Sequence, residues 1–124
     1  MSFASILQTI VDNCGGGIAA ALMGTDGIPI DQVTATAGPE GAMAEDISTA
    51  GVEFGRILEE IHKVSDSLAA GALSETMVSF SRFCLIFRIV DEDTFLVLAI
   101  GAGGNVGKAR YLMRRHLLAL REEM

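Results

Sequence analysis

The chain has 124 residues, with nine Lys and Arg against 16 Asp and Glu and a formal net charge of −7. That length suits one compact domain, residues 1–124, and 50% hydrophobic against 20% charged residues excludes a disordered chain. The longest uncharged stretches, 13–25 and 95–107, have 13 residues each and are broken by glycine, well short of the roughly 20 that a membrane-spanning helix needs.

Charge is distributed unevenly. Residues 1–100 hold 14 acids and four bases, whereas residues 101–124 hold Lys108, Arg110, Arg114, Arg115 and Arg121 against Glu122 and Glu123. Overall acidity argues against a nucleic-acid partner, because neutralising phosphates needs a dense basic surface. The basic end keeps a local anionic partner open. No basic stretch opens the chain, so no secretory signal is expected. Cys14 and Cys84 fit no metal-ligand spacing and are too few for a disulfide framework, which points to a reducing, cytoplasmic setting.

Residues 2–13 place Phe3, Ile6, Leu7, Ile10 and Val11 at helical spacing, with Ser2 as the N-cap and Gly15-Gly16-Gly17 as the stop. Two apolar runs, 18–23 and 28–33, flank Thr25-Asp26-Gly27, and Asp-Gly between such runs predicts a hairpin. Pro29 cannot donate to a ladder and puts the second strand at a sheet edge. A loop at 34–41 leads to a long helix over 42–68. Its predicted apolar stripe is Ile47, Ala50, Phe54, Ile57, Leu58, Ile61 and Leu68, opposite Glu53, Arg56, Glu59, Glu60 and Lys63.

Strands follow at 76–81 and 83–90, the latter with Phe83, Leu85, Phe87 and Ile89 on one face, then at 95–100, apolar on both faces as a central strand requires. A final helix over 106–121 carries Val106, Ala109, Met113, Leu117 and Leu120 on its core stripe. The order α-β-β-α-β-β-β-α with short turns predicts an α+β fold, an antiparallel sheet with helices layered on its faces.

Catalytic signals are weak. Gly101-Ala102-Gly103-Gly104-Asn105-Val106-Gly107-Lys108 joins a strand to a helix, the context of a phosphate cradle. It lacks the Gly and the Ser/Thr of a Walker A loop at Ala102 and Ala109, and no second parallel strand follows as a dinucleotide fold demands. The other reading is a strand-to-helix turn with close backbone packing. His62 and His116 lie on helices with nothing converging on them. Pairing either with Cys14 or Cys84 is conceivable without local support. Glu59-Glu60 and Glu122-Glu123 point about 100° apart on a helix and cannot share a substrate. No catalytic residue, cofactor or metal is therefore expected.

The long helix holds a subtler signal. Gly51 and Gly55 lie one turn apart, and each glycine costs a helix about 1 kcal/mol relative to Ala. A close approach of another backbone would offset that cost. Self-association gives an interface of Gly51, Gly55, Leu58 and His62, joined by Ser79 and Ser81 on a polar, accessible edge strand; otherwise the glycines accommodate the chain's own sheet. On the last helix Tyr111, Arg115 and Leu118 face outward beside Arg114 and Arg121, as either a binding surface or a solvated face.

Residues 17–30, Gly17-Ile18-Ala19-Ala20-Ala21-Leu22-Met23-Gly24-Thr25-Asp26-Gly27-Ile28-Pro29-Ile30, resemble the first hairpin of the roadblock/dynein-light-chain family, which includes the bacterial MglB proteins. Leu96-Val97-Leu98-Ala99-Ile100 and then Asn105-Val106-Gly107-Lys108-Ala109-Arg110 resemble that family's last strand and its Asn-x-Gly entry to the final helix. The resemblance implies a profilin-like fold: a five-stranded antiparallel sheet, the long helix on one face and the terminal helices on the other. It also implies a non-enzymatic homodimer joined by the strand at 76–81 and the long helix. Such a dimer would either regulate a Ras-like small GTPase of the MglA type or serve as a scaffold in a motor, signalling or polarity complex. The outward row Glu53, Arg56, Glu60 and Lys63 is the expected partner surface, with Arg56 the one candidate for an arginine finger.

Overall fold

The computed structural model describes residues 2–36 and 44–124, with the backbone alone described at 44–46 and 48. Most of the predicted loop at 34–41, and the predicted start of the long helix at Ala42, lie outside the described residues.

Helix α1 (Phe3–Asn13) starts where predicted: the Ser2 hydroxyl accepts the Ser5 N–H at 3.2 Å. It ends at Gly15 and Gly16, whose φ of 77° and 97° suit glycine and turn the chain into β1 (Gly17–Gly24). The predicted hairpin follows, with the Asp26 carboxylate accepting the Ile28 N–H at 3.0 Å and Gly27 at φ 89°. Strand β2 (Pro29–Thr34) leads on to α2 (Ala44–Leu68). Then come β3 (Glu75–Ser79), β4 (Phe83–Asp91), β5 (Thr94–Gly101), α3 (Val106–Arg115) and α4 (Leu117–Glu123).

The sheet runs β2-β1-β5-β4-β3, every pair antiparallel. Central β5 is buried from Thr94 to Ile100, and Pro29 lies on an edge strand, both as predicted. Each face has its own core. On one side Ile6, Leu7 and Ile10 of α1, with Ala109 and Met113 of α3, pack on Leu22, Ile86 and Leu98. On the other, Ile47 and Leu58 of α2 pack on Met23, Phe87, Phe95 and Val97, and the predicted row Phe83, Leu85, Phe87 and Ile89 faces this side. Each such buried aliphatic or aromatic side chain contributes about 1.5–3 kcal/mol. The result is the expected α+β arrangement of one long helix on one face and the terminal helices on the other.

Two expectations need correction. The predicted helix over 106–121 is two helices, broken at His116. Its backbone N–H donates to the Leu112 carbonyl at 3.1 Å, and its ring Nδ1 lies 2.9 Å from the same oxygen. A side chain competing for a ladder carbonyl is a recognised cause of a helix break. The predicted stripe of α2 also divides. Ile47 and Leu58 are buried, but Ile57 and Leu68 are 49% and 72% exposed. Helix α2 lies over β1, β2 and β5. At 100° per residue, Ile57, Ile61, Val64 and Leu68 follow Phe54 along the flank turned toward β4, whose Phe87 meets the Phe54 ring at 4.8 Å.

Candidate interaction surfaces

The close approach that offsets the helix glycines occurs within the chain. A Cβ on Gly51 would stand 2.9–3.1 Å from the Cε, Cγ and Sδ atoms of Met23, and one on Gly55 would stand 3.5 Å from Phe95. Leu58, 5% exposed, belongs to the same core. Gly51, Gly55 and Leu58 are therefore turned to the sheet of their own chain, the second of the two readings of the helix glycines, and not outward to a subunit interface. His62 is exposed, its Nε2 4.0 Å from Asp66 one turn on.

Outward on α2, Glu53, Arg56, Glu60 and Lys63 form the expected exposed row. They pair among themselves: Arg56 lies 3.8 Å from Glu53, and Lys63 lies 3.1 Å from Glu60. Exposed pairs of this kind contribute at most a few tenths of a kcal/mol, so they break readily when a partner arrives.

The edge at β3 is as predicted, but shorter. Ser79 is its last residue, and Ser81 lies in the turn to β4, where the Phe80 N–H donates to the Phe83 carbonyl at 2.8 Å. Register with β4 pairs Thr76 with Phe87 and Val78 with Leu85, so these two face the α2 side. Glu75, Met77 and Ser79 face the side of α3 and α4. Thus a strand edge with no pairing partner among the described residues and the exposed apolar flank of α2 (Ile57, Val64 57% exposed, Leu68) lie toward the same side of the molecule.

The glycine-rich segment after β5 packs on the first glycine turn. Gly101 and Asn105 donate their N–H groups to Gly16 and Gly15 carbonyls at 2.9 Å each, Gly104 donates to Gly101 at 2.9 Å, and the Lys108 N–H is taken by the Asn105 side chain at 3.0 Å. A Cβ on Gly16 would meet the Gly104 Cα at 2.9 Å. Glycine is needed here for backbone contact, and the Gly101, Gly104, Asn105 and Lys108 amides are engaged within the chain. Among the described residues no group of three or more His, Cys, Asp or Glu could hold a metal, and no helix is long and apolar enough to cross a membrane. Cys14 and Cys84 are buried free thiols, and burial raises the Cys14 thiol above its ordinary value.

One constellation has no local signal in the sequence. Arg110 of α3 grips Glu75 of β3 through two bonds of 2.8 Å, and Arg88 on β4 stands 3.8 Å from the same carboxylate. The Arg110 hydrogen bonds, with the fields of Arg88 and Arg114, hold the Glu75 carboxyl below the usual range. The Nε of Arg88 is buried without a hydrogen-bond partner among the described residues. Nearby, Leu58, Leu73, Phe95 and Leu117 line an open cleft of about 770 Å³ together with His62 and Arg121.

No protein-family model matches the sequence, and no curated protein matches it either. Solved structures do. MglC from Myxococcus xanthus is 33% identical over the whole of both chains, with a TM-score of 0.70. The gliding protein MglB from Thermus thermophilus is 18% identical, covering 97% of this chain and 86% of its own, with a TM-score of 0.84. A Roadblock/LC7 domain from Streptomyces avermitilis is 12% identical over 98% and 97%, with a TM-score of 0.83.

Proposed function

The chain belongs to the roadblock/MglB-like domain family, and from that premise we propose that it is a non-enzymatic homodimer that binds a Ras-like small GTPase of the MglA type and modulates its nucleotide cycle. The observation that carries the reading is the joint exposure of the β3 edge and the apolar flank of α2. An open edge is a template for strand pairing, and a contiguous exposed apolar surface marks an interaction site. A second copy satisfies both at once: β3 pairs with its counterpart, and each α2 lays its flank over the sheet half that the other leaves uncovered. Similarity to MglB, reported in one structure in a tetrameric arrangement, supports assembly through this fold.

The paired α2 helices then present a doubled outward row of Glu53, Arg56, Glu60 and Lys63 to the GTPase. Regulation follows if this platform binds one arrangement of the switch loops better than another, since a ligand shifts an equilibrium only through differential affinity. Among the described residues Arg56 pairs with the exposed Glu53, and its placement supports charge recognition more than a finger held in position.

Sedimentation tests the dimer, and Leu68→Glu is expected to dissociate it. Capture of an MglA-type GTPase in its GDP and GTP forms tests the regulation, with a preference for one form expected. A second reading, a nucleotide-independent adaptor, is favoured by the mutual pairing of the outward charges on α2. Equal capture in both forms would establish it in place of the regulator.

A further inference from the structure

The proposed dimer and GTPase surfaces occupy α2 and the β3 edge, leaving the basic face of α3 without a role. On that side of the sheet β3 presents Glu75 and Met77, two residues apart on one face. Among the described residues Glu75 is the single carboxylate facing Arg110 and Arg88, and Arg114, one turn along α3 from Arg110, adds its field. One acid against three guanidinium groups leaves local positive charge in a chain whose first 100 residues carry 14 acids and four bases. Exposed apolar side chains lie on both elements: Met77 of β3 is 50% exposed, and Tyr111 of α3 is exposed with Arg115 donating to its hydroxyl at 3.0 Å.

We propose that this β3–α3 face docks a short acidic segment of a partner protein, its carboxylates on Arg114 and Arg115 and its apolar side chains on Met77 and Tyr111. Charge complementarity selects that occupant. At physiological salt the field of the patch reaches about 8 Å, the span of a short peptide. A nucleic acid or an anionic bilayer extends further and meets the acidic remainder of the chain. Arg110 is a poor ligand for the segment, because Glu75 already takes its Nε and one of its Nη groups; Arg114 and Arg115 are exposed cations of α3.

The test is fluorescence anisotropy with a labelled peptide of repeating Glu-Glu-Leu, and a Lys-Lys-Leu peptide as its opposite. The full chain is expected to bind the acidic peptide alone, more weakly as salt rises. Arg114→Glu is expected to weaken binding about tenfold or more, as loss and reversal of a contact charge does, and Met77→Ala severalfold. Lys63→Glu makes the same net charge change on α2 and is expected to leave affinity within about twofold. Circular dichroism on each variant establishes folding, and capture of the GTPase, which uses the other face, is expected to be retained by Arg114→Glu.

Absence of acidic-peptide binding overturns the proposal, as does equal weakening by Arg114→Glu and Lys63→Glu. Stronger, Arg114-dependent binding to phosphatidylserine vesicles assigns the face to a membrane instead. Growth in mass with concentration that Arg114→Glu abolishes assigns it to a second copy. Either result also overturns the proposal.

Discussion

Substituting each helix glycine by alanine separates two physical roles that look the same in sequence. At Gly55 the added methyl meets Phe95 Cε1 at 3.5 Å and Cζ at 3.7 Å, ordinary contact. The substitution therefore keeps the helix-propensity gain and is expected to stabilise by about 0.5–1 kcal/mol. At Gly51 the methyl would meet Met23 Cε, Cγ and Sδ at 2.9, 3.0 and 3.1 Å, and Met23 is fully buried. Overpacking of this kind costs about 1–3 kcal/mol, so after the propensity gain Gly51→Ala is expected to destabilise by about 0–2 kcal/mol. The two variants should differ by about 1–3 kcal/mol, readable in urea melts at fixed protein concentration. Repeating the melts at several concentrations separates fold stability from subunit association. A marked, concentration-dependent destabilisation by Gly55→Ala would refute the reasoning, because it would mean that another chain's backbone fills the space beside that residue.

Three further outcomes follow. Asn105→Ala removes the side chain that caps Lys108 N–H and is expected to cost about 1 kcal/mol in thermal or urea unfolding. Glu75 titrates below its ordinary value of 4.5 because Arg110 holds the charged form. Its contribution is thus present at neutral pH, begins to fall below about 4.5, and is lost as pH drops through the lowered folded value. Glu75→Gln is expected to cost about 1–2 kcal/mol at pH 7, and the gap from the parent chain should close in acid melts. Saturating ATP, GTP or NAD is expected to leave the melting temperature unchanged, whereas a ligand at 100 times its dissociation constant would add about 2.7 kcal/mol.

Much of the fold was legible because the signals are local. Ser2, the glycines after α1, Asp26-Gly27, Pro29 and Asn105 each act within a few residues, through capping, positive φ or a missing donor. Uninterrupted apolar character identified β5 as central, because only a strand covered on both faces carries it. What the sequence hid is non-local. The 35-residue separation of Glu75 and Arg110 leaves no periodicity to read. The two glycines of α2 signalled a close approach without saying to what, since the cost of a helix glycine is the same whether its neighbour is Met23 or another chain. The break at His116, where φ is −93° and ψ is 2°, comes with no Gly or Pro for a spacing rule to read.

That same α2 shows why an amphipathic stripe read from sequence alone overstates a chain's own core. A single wheel merges Leu58 and Ile57, yet the first is 5% exposed and the second 49%. An isolated chain with half a sheet to cover would gain by replacing Ile57, Val64 and Leu68 with polar residues, because exposed apolar flanks invite nonspecific association. Their retention beside an unpaired β3 edge is consistent with specific coverage on the proposed dimer. Coverage by an unrelated apolar partner would bury the flank but leave the β3 amides to water. Strand pairing without helix packing would leave the flank bare. Only an occupant carrying both a strand and an apolar helix flank in matching relation meets both needs, and a second copy of this chain has them by construction.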